Sequence, residues 1–172
     1  VREGKEAFSL SFGRSRLTFE ASNQPCYYHL AFNIPENQMA EALGFLKEKQ
    51  IEIQAFRGQD VVDFSNWEAH STYFLDPAGN ILELIARHRL DNARHEPFSM
   101  TSVTEISEVG LVVPQAQAAA ELLAEWTQLE FYPGASEHFV PLGHDHAMFI
   151  LVPPGRSWFP TRIESRYFPI RL

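Results

Sequence analysis

Residues 7–12 and 16–20 alternate apolar and polar side chains, with Phe8, Leu10 and Phe12 on one face and Leu17 and Phe19 on another. A period of two predicts strands, and Gly13-Arg14-Ser15 between them predicts a hairpin turn. After a polar break at Ser22-Asn23-Gln24-Pro25, "CYYHLAFNI" is a β-rich run stopped by Pro35. The period then changes. In "ENQMAEALGFLKEKQ", Met39, Leu43 and Leu46 recur at i, i+4 and i+7, the spacing of an amphipathic helix. Residues 51–56 read as a strand, and "GQDVVDFSNWEAH" as a polar loop or hairpin. "STYFL", the turn Asp76-Pro77-Ala78-Gly79-Asn80 and "ILELIAR" then form a hairpin, with Pro fixing φ and Gly supplying positive φ. The order is strand, helix, strand, strand, strand.

The pattern restarts beyond a charged linker at 87–99. "EVGLVVP" overlays "HLAFNIP", each a seven-residue strand stopped by proline, with an offset of 79 from Pro35 to Pro114. That offset maps Leu43 onto Leu122 and His29 onto Glu108. "QAQAAAELLAEW" predicts a second helix with Ala119, Leu122, Leu123 and Trp126 on one side. Strand candidates follow at 138–142, 147–152 and 167–172. Each repeat alone would expose the apolar face of its sheet, so the two are expected to pack together. The first strands, 1–22, read as the tail of an incomplete preceding unit. Native residues are expected before Val1.

Polar positions then stand out against this frame. In 81–85, Leu82 and Leu84 point one way, while Ile81, Glu83 and Ile85 point the other. In 28–34, Tyr28, Leu30, Phe32 and Ile34 share a face opposite Tyr27, His29, Ala31 and Asn33. If both strands lie in one sheet, His29 and Glu83 converge on its concave side, and imidazole plus carboxylate is a nucleus for a divalent metal. A strand glutamate can equally reach solvent or pair with an arginine such as Arg87. His70 is placed to face the same cavity. The aromatic residues Tyr27, Tyr73 and Trp67 are candidates for its wall or for ordinary core. His144-Asp145-His146 reads as a hairpin turn. "PPGRSWFP", with Arg156, Trp158 and Phe159, reads as a packing latch in preference to a lid.

Composition narrows the classes. The 172 residues carry a net charge of −8, which argues against a phosphate-backbone or anionic-membrane partner. No window approaches the ~20 apolar residues of a membrane span. Cys26 stands alone, so there is no internal disulfide and no CxxC zinc pair, and a cytoplasmic location is expected. Nucleotide-loop, nucleophile-elbow and HExxH motifs are absent.

"YFLDPAGNILELI", with "YHLAFNIP" one helix upstream, resembles the closing hairpin and first strand of the vicinal oxygen chelate superfamily. That superfamily includes glyoxalase I, bleomycin-resistance proteins and extradiol ring-cleaving dioxygenases. The resemblance covers 27–88 well and 106–152 less closely. It implies an α+β fold of repeated βαβββ modules, one at 27–88 and one at 106–172, forming an open, cupped mixed sheet. It implies a divalent metal (Fe, Mn, Zn or Ni) held by His29 and Glu83, with Glu108 standing where the partner module supplies a ligand. The expected activity is that of a lyase, an isomerase or a ring-cleaving dioxygenase acting on a small substrate with vicinal oxygens. His70 or Tyr27 would transfer protons. The alternative implied is a metal-free protein that sequesters a small molecule, as bleomycin-resistance relatives do. A homodimer is also expected.

Overall fold

A computed structural model describes residues 7–171; residues 1–6 of the N-terminal tail and Leu172 lie outside the described part. Strands β1 (Ala7–Phe12) and β2 (Ser15–Glu20) form an antiparallel hairpin. Seven further strands build one mixed sheet: β3 (His29–Ile34), β4 (Val62–Phe64), β5 (Ala69–Leu75), β6 (Ile81–Arg87), β7 (Glu105–Val112), β8 (Val140–His144) and β9 (Ala147–Val152). Their spatial order is β4-β5-β6-β3-β7-β9-β8. Helix α1 (Met39–Glu48) follows β3, and α2 (Ala116–Thr127) follows β7. No helix among the described residues is long and apolar enough to cross a membrane.

The repeat is visible in the pairing. β3 runs parallel to β6 and β7 parallel to β9, while β3 and β7 meet antiparallel at the centre of the sheet. Both modules therefore contribute to one curled surface. Their helices cover its outer face: Met39, Ala42 and Leu46 of α1 bury against Leu30, Phe32, Ile34 and Leu84. Ala116 and Ala120 of α2 bury against Leu111, Val140, Leu142 and Leu151. Small residues let α2 approach closely, so its buried side is rotated from the expected one. Leu122 and Trp126 point outward, 55% and 78% exposed.

Several expected elements differ. Residues 51–56 make only single bridges, Ile53 to Phe74 and Phe56 to Gln59, so no strand forms there. The loop before β5 contains β4, and β5 begins at Ala69. Among the described residues 167–171 no strand forms; Pro169 has no N–H for a ladder, and Phe168 instead packs edge-on against Tyr27, with a centroid separation of 4.8 Å. The last strand of the second module is thus β9, and among the described residues only the isolated bridges Phe131–Leu142 and Ser136–Phe139 stand between α2 and β8.

The N-terminal hairpin docks by its turn. Gly13 has φ +49°, and a Cβ there would lie 1.8 Å from the Thr104 carbonyl oxygen, so only glycine fits. Beside it, Ser15 Oγ accepts from the Ile106 N–H at 3.0 Å, and Phe12 packs on Phe32 with ring centroids 5.1 Å apart.

Candidate functional site

The turn between β5 and β6 sets the site's register. Asp76 Oδ1 accepts from the Ala78 and Asn80 N–H groups at 2.9 and 2.8 Å, closing the turn, with Gly79 at φ +86°. Asn80 Oδ1 in turn accepts from the Tyr28 N–H at 2.9 Å, and the Ile81 N–H donates to the Tyr28 carbonyl at 2.8 Å. This clasp starts β3 and β6 level with each other. His29 then lies beside Ile81 and Ala31 beside Glu83, so both polar side chains rise from the inner face.

The second module adds Glu108. It pairs across the module boundary with Ala31, and the register shifts between Ala31 and Phe32. This bulge gives β7 an extra residue, Ser107. Without it, Ile106 would share the face of Glu108. With it, Ile106 turns into the α1-side core and Glu105 turns inward to accept from Asn33 Nδ2 at 3.1 Å. Because β7 and β9 pair Gly110 with Ile150, the place matching Glu83 in the second module belongs to Ile150.

His29 Nε2 lies 3.5 Å from Glu83 Oε2 and 3.7 Å from Glu108 Oε2, and all three residues are buried. They form a three-residue cluster whose donor atoms lie within 4.8 Å of one another. These separations sit at or beyond the long limit of a hydrogen bond. They match the spacing of ligand atoms each about 2.1 Å from a common ion. Glu108 Oε1 is taken by Arg87 Nη2 at 2.6 Å, which leaves Oε2 free to face His29. One imidazole nitrogen and two carboxylates aimed at one point fit a divalent first-row metal.

Electrostatics here are tense. Burial, reinforced by the nearby Glu108 charge, pushes the Glu83 carboxyl up to about 7. For Glu108, burial would raise the carboxyl, but His29 and Arg87 outweigh it and hold it below the ordinary carboxylate value. Burial would lower His29, yet the two carboxylates raise it. Arg87 is fully buried; its Nε donates to Ser107 Oγ at 3.1 Å, and its guanidinium stands 5.7 Å from the Trp67 ring centroid. With Arg87⁺ beside Glu108⁻, and with Glu83 ionised and His29 neutral as metal ligands must be, the four groups would carry one net negative charge. A site of two neutral histidines and one carboxylate has the same charge.

Above the three side chains opens a cavity of about 260 Å³. Aromatic rings wall it, among them Phe64, Trp67, Tyr73, Phe139, Trp158 and Phe159. Trp158 stacks on His29 with centroids 5.2 Å apart and planes at 28°. Gly110 makes room for it: a Cβ there would meet Trp158 Cη2 at 2.6 Å and His29 Cβ at 3.1 Å. Arg156, Trp158 and Phe159 therefore border the cavity, where the sequence favoured a packing latch over a lid.

Two expected site residues lie elsewhere. His70 shares the face opposite Ser71 and Tyr73, because neighbouring residues of a strand point to opposite sides. Its Nδ1 is 2.7 Å from His88 Nε2, and His88 Nδ1 is 3.0 Å from Glu36 Oε2, outside the cup. Tyr27 precedes β3, and its hydroxyl donates to the Glu164 carbonyl at 2.6 Å. Nor does Arg87 pair with Glu83: it takes Glu108. His144-Asp145-His146 forms the β8–β9 turn, where His146 Nδ1 is 2.8 Å from Glu105 Oε1. Sequence reasoning offered Arg87 only as a partner for Glu83 and did not find its place beside Glu108.

No family model and no curated protein sequence matches the chain. Solved structures do match its fold. A "putative dioxygenase" from Bacillus subtilis subsp. subtilis str. 168 superposes with a TM-score of 0.58 at 17% identity, over 80% of this chain and 46% of that one. A mutant glyoxalase I from Zea mays superposes with a TM-score of 0.51 at 15% identity, over 87% of this chain and 51% of that one. The chain spans about half the length of each. Paired modules on one curled sheet, helices on its outer face and the match to these structures together give the chain a glyoxalase-like fold.

Proposed function

We propose that the cup is a divalent-metal centre of an enzyme acting on a small molecule that chelates the ion through two neighbouring oxygens. The observation that carries this is the convergence of His29 Nε2, Glu83 Oε2 and Glu108 Oε2 on one buried point at the base of an open cavity. His29 and Glu83 come from the first and last strands of one module, and Glu108 from the first strand of the other. A bound Fe, Mn, Zn or Ni ion would act as a Lewis acid toward the substrate oxygens.

The chain's own residues supply the rest. Arg87 holds Glu108 by one oxygen and points the other inward, while neutralising its charge. Trp158 lies flat on the His29 imidazole, fixes its plane and excludes water from that side. The aromatic wall takes the apolar body of the substrate. The glyoxalase- and dioxygenase-type neighbours fit a reaction of lyase, isomerase or ring-cleaving type. Proton transfer stays with groups lining the cup, and Tyr73 is the candidate there in place of His70 and Tyr27.

Elemental analysis of protein purified without chelator tests the reading. Close to one Fe, Mn, Zn or Ni per chain is expected, falling below one tenth in Glu83→Gln and His29→Ala. A wild-type content no higher than that of the variants would overturn it. A metal-free sequestering protein is the second reading, favoured by the Arg87–Glu108 pair, which already neutralises one carboxylate.

A further inference from the structure

Arg156 borders the cavity without an anionic partner. Its guanidinium lies 5.1 Å from the Phe139 ring centroid, and its one hydrogen bond is a long 3.4 Å contact to the Ser157 carbonyl. Among the described residues no carboxylate stands within ion-pair distance of it. Arg14, Arg87, Arg89 and Arg171 each pair with an acid, and Arg156 is the unpaired arginine that lines the cavity. Burial lowers the Arg156 pKa, yet an arginine keeps its charge at neutral pH. A half-buried, unpaired cation among aromatic rings is costly to desolvate, and an incoming anion would offset that cost. Its planar fork also matches a carboxylate with two parallel hydrogen bonds.

The rest of the cavity restricts the ligand further. Six aromatic side chains suit a flat, apolar body. About 260 Å³ falls below the ~300–1,000 Å³ typical of drug-sized ligands, which leaves room for a single ring. Glu83 and Glu108 repel an acid group from the base of the cup, which leaves Arg156 as its seat. We infer that the cavity takes a small aromatic acid, with its carboxylate on Arg156 and two neighbouring ring oxygens turned toward His29, Glu83 and Glu108. The Arg156 half stands on its own observations; the oxygen half rests on the metal-centre reading.

Calorimetric titration with 3,4-dihydroxybenzoate and with catechol, in the presence and absence of Mn(II), tests both halves. The acid is expected to bind at least tenfold more tightly than catechol. Arg156→Met should bring the two to equal affinity, whereas Arg156→Lys, which keeps the charge, should retain at least a threefold preference. Glu83→Gln should weaken both probes in Mn(II) while keeping the preference. Equal affinities in the wild type, a preference that survives Arg156→Met, or no binding of either probe at millimolar concentration would overturn the inference. An Arg156-dependent preference with no response to Mn(II) would uphold the acid site and sink the metal reading. Mn(II)-dependent binding of both probes without a preference would do the reverse.

Discussion

Removing the guanidinium of Arg87 should expose how much the fold depends on neutralising its inner acids. Arg87 is 0% exposed, and Arg87→Met removes the 2.6 Å bond to Glu108 and the 3.1 Å bond to Ser107. It also removes contacts with the Trp67 and Tyr132 rings at 5.7 and 5.9 Å. What remains is a buried Glu108 carboxylate close to Glu83, with only His29 to balance both. Leaving one member of a buried ion pair uncompensated costs about 3–5 kcal/mol. For a chain of this size each kcal/mol corresponds to ~2–4 °C, so the melting temperature should fall by roughly 10 °C. The loss should shrink as pH falls. Arg87 helps keep Glu108 below its ordinary pKa, so that stability is present at neutral pH and is lost once the carboxylate protonates. Urea unfolding in chelator at pH 7.5 and at about pH 3.5, below the ordinary carboxylate value of 4.5, measures both effects. The double variant Arg87→Met/Glu108→Gln should recover at least half of the loss, because no charge is left stranded. A single variant within about 1 kcal/mol of wild type, or a double variant no better than the single, would refute the reasoning.

Two further outcomes follow from the same cluster. With Glu83 raised to about 7 from an ordinary 4.5, the folded chain holds a proton that the unfolded chain has lost between those values. Stability of the metal-free protein should therefore fall as pH rises from 5 to 7.5, by up to about 3 kcal/mol, and Glu83→Gln should flatten the slope; a rising curve, or an equal slope in the variant, would contradict this. Gly110→Ala pushes a methyl to within 2.6 Å of Trp158 Cη2. It should cost about 1–3 kcal/mol and shift the tryptophan emission as the indole leaves His29. Unchanged emission would show that the stack is not what Gly110 protects.

Much of this architecture could be read from alternation alone. His29 and Glu83 sit on the polar-bearing face of two runs whose other face is wholly apolar, and the β3–β6 pairing brings those faces together. Glu108 was reachable because a proline stops both repeats at the same point. Three features escaped for physical reasons. The bulge at Ser107 breaks the period of two, so Glu105 and Glu108 share a face three residues apart. Trp158 reaches His29 only because Gly110, on a strand distant in sequence, lacks a side chain. The identity of the partner of Arg87 depends on which strand of the second module lies beside β3, which no local pattern records. His70 was misplaced because its face depends on where β5 begins and pairs, and Tyr73, paired with Glu83, is the residue turned inward.

The central claim is that His29, Glu83 and Glu108 hold one ion between them. Anomalous diffraction from crystals of the chain soaked in Mn(II) examines it most directly. One strong peak is expected within bonding distance of His29 Nε2, Glu83 Oε2 and Glu108 Oε2, absent from crystals of Glu83→Gln. No peak there, or a peak only at the His144-Asp145-His146 turn, would contradict the account.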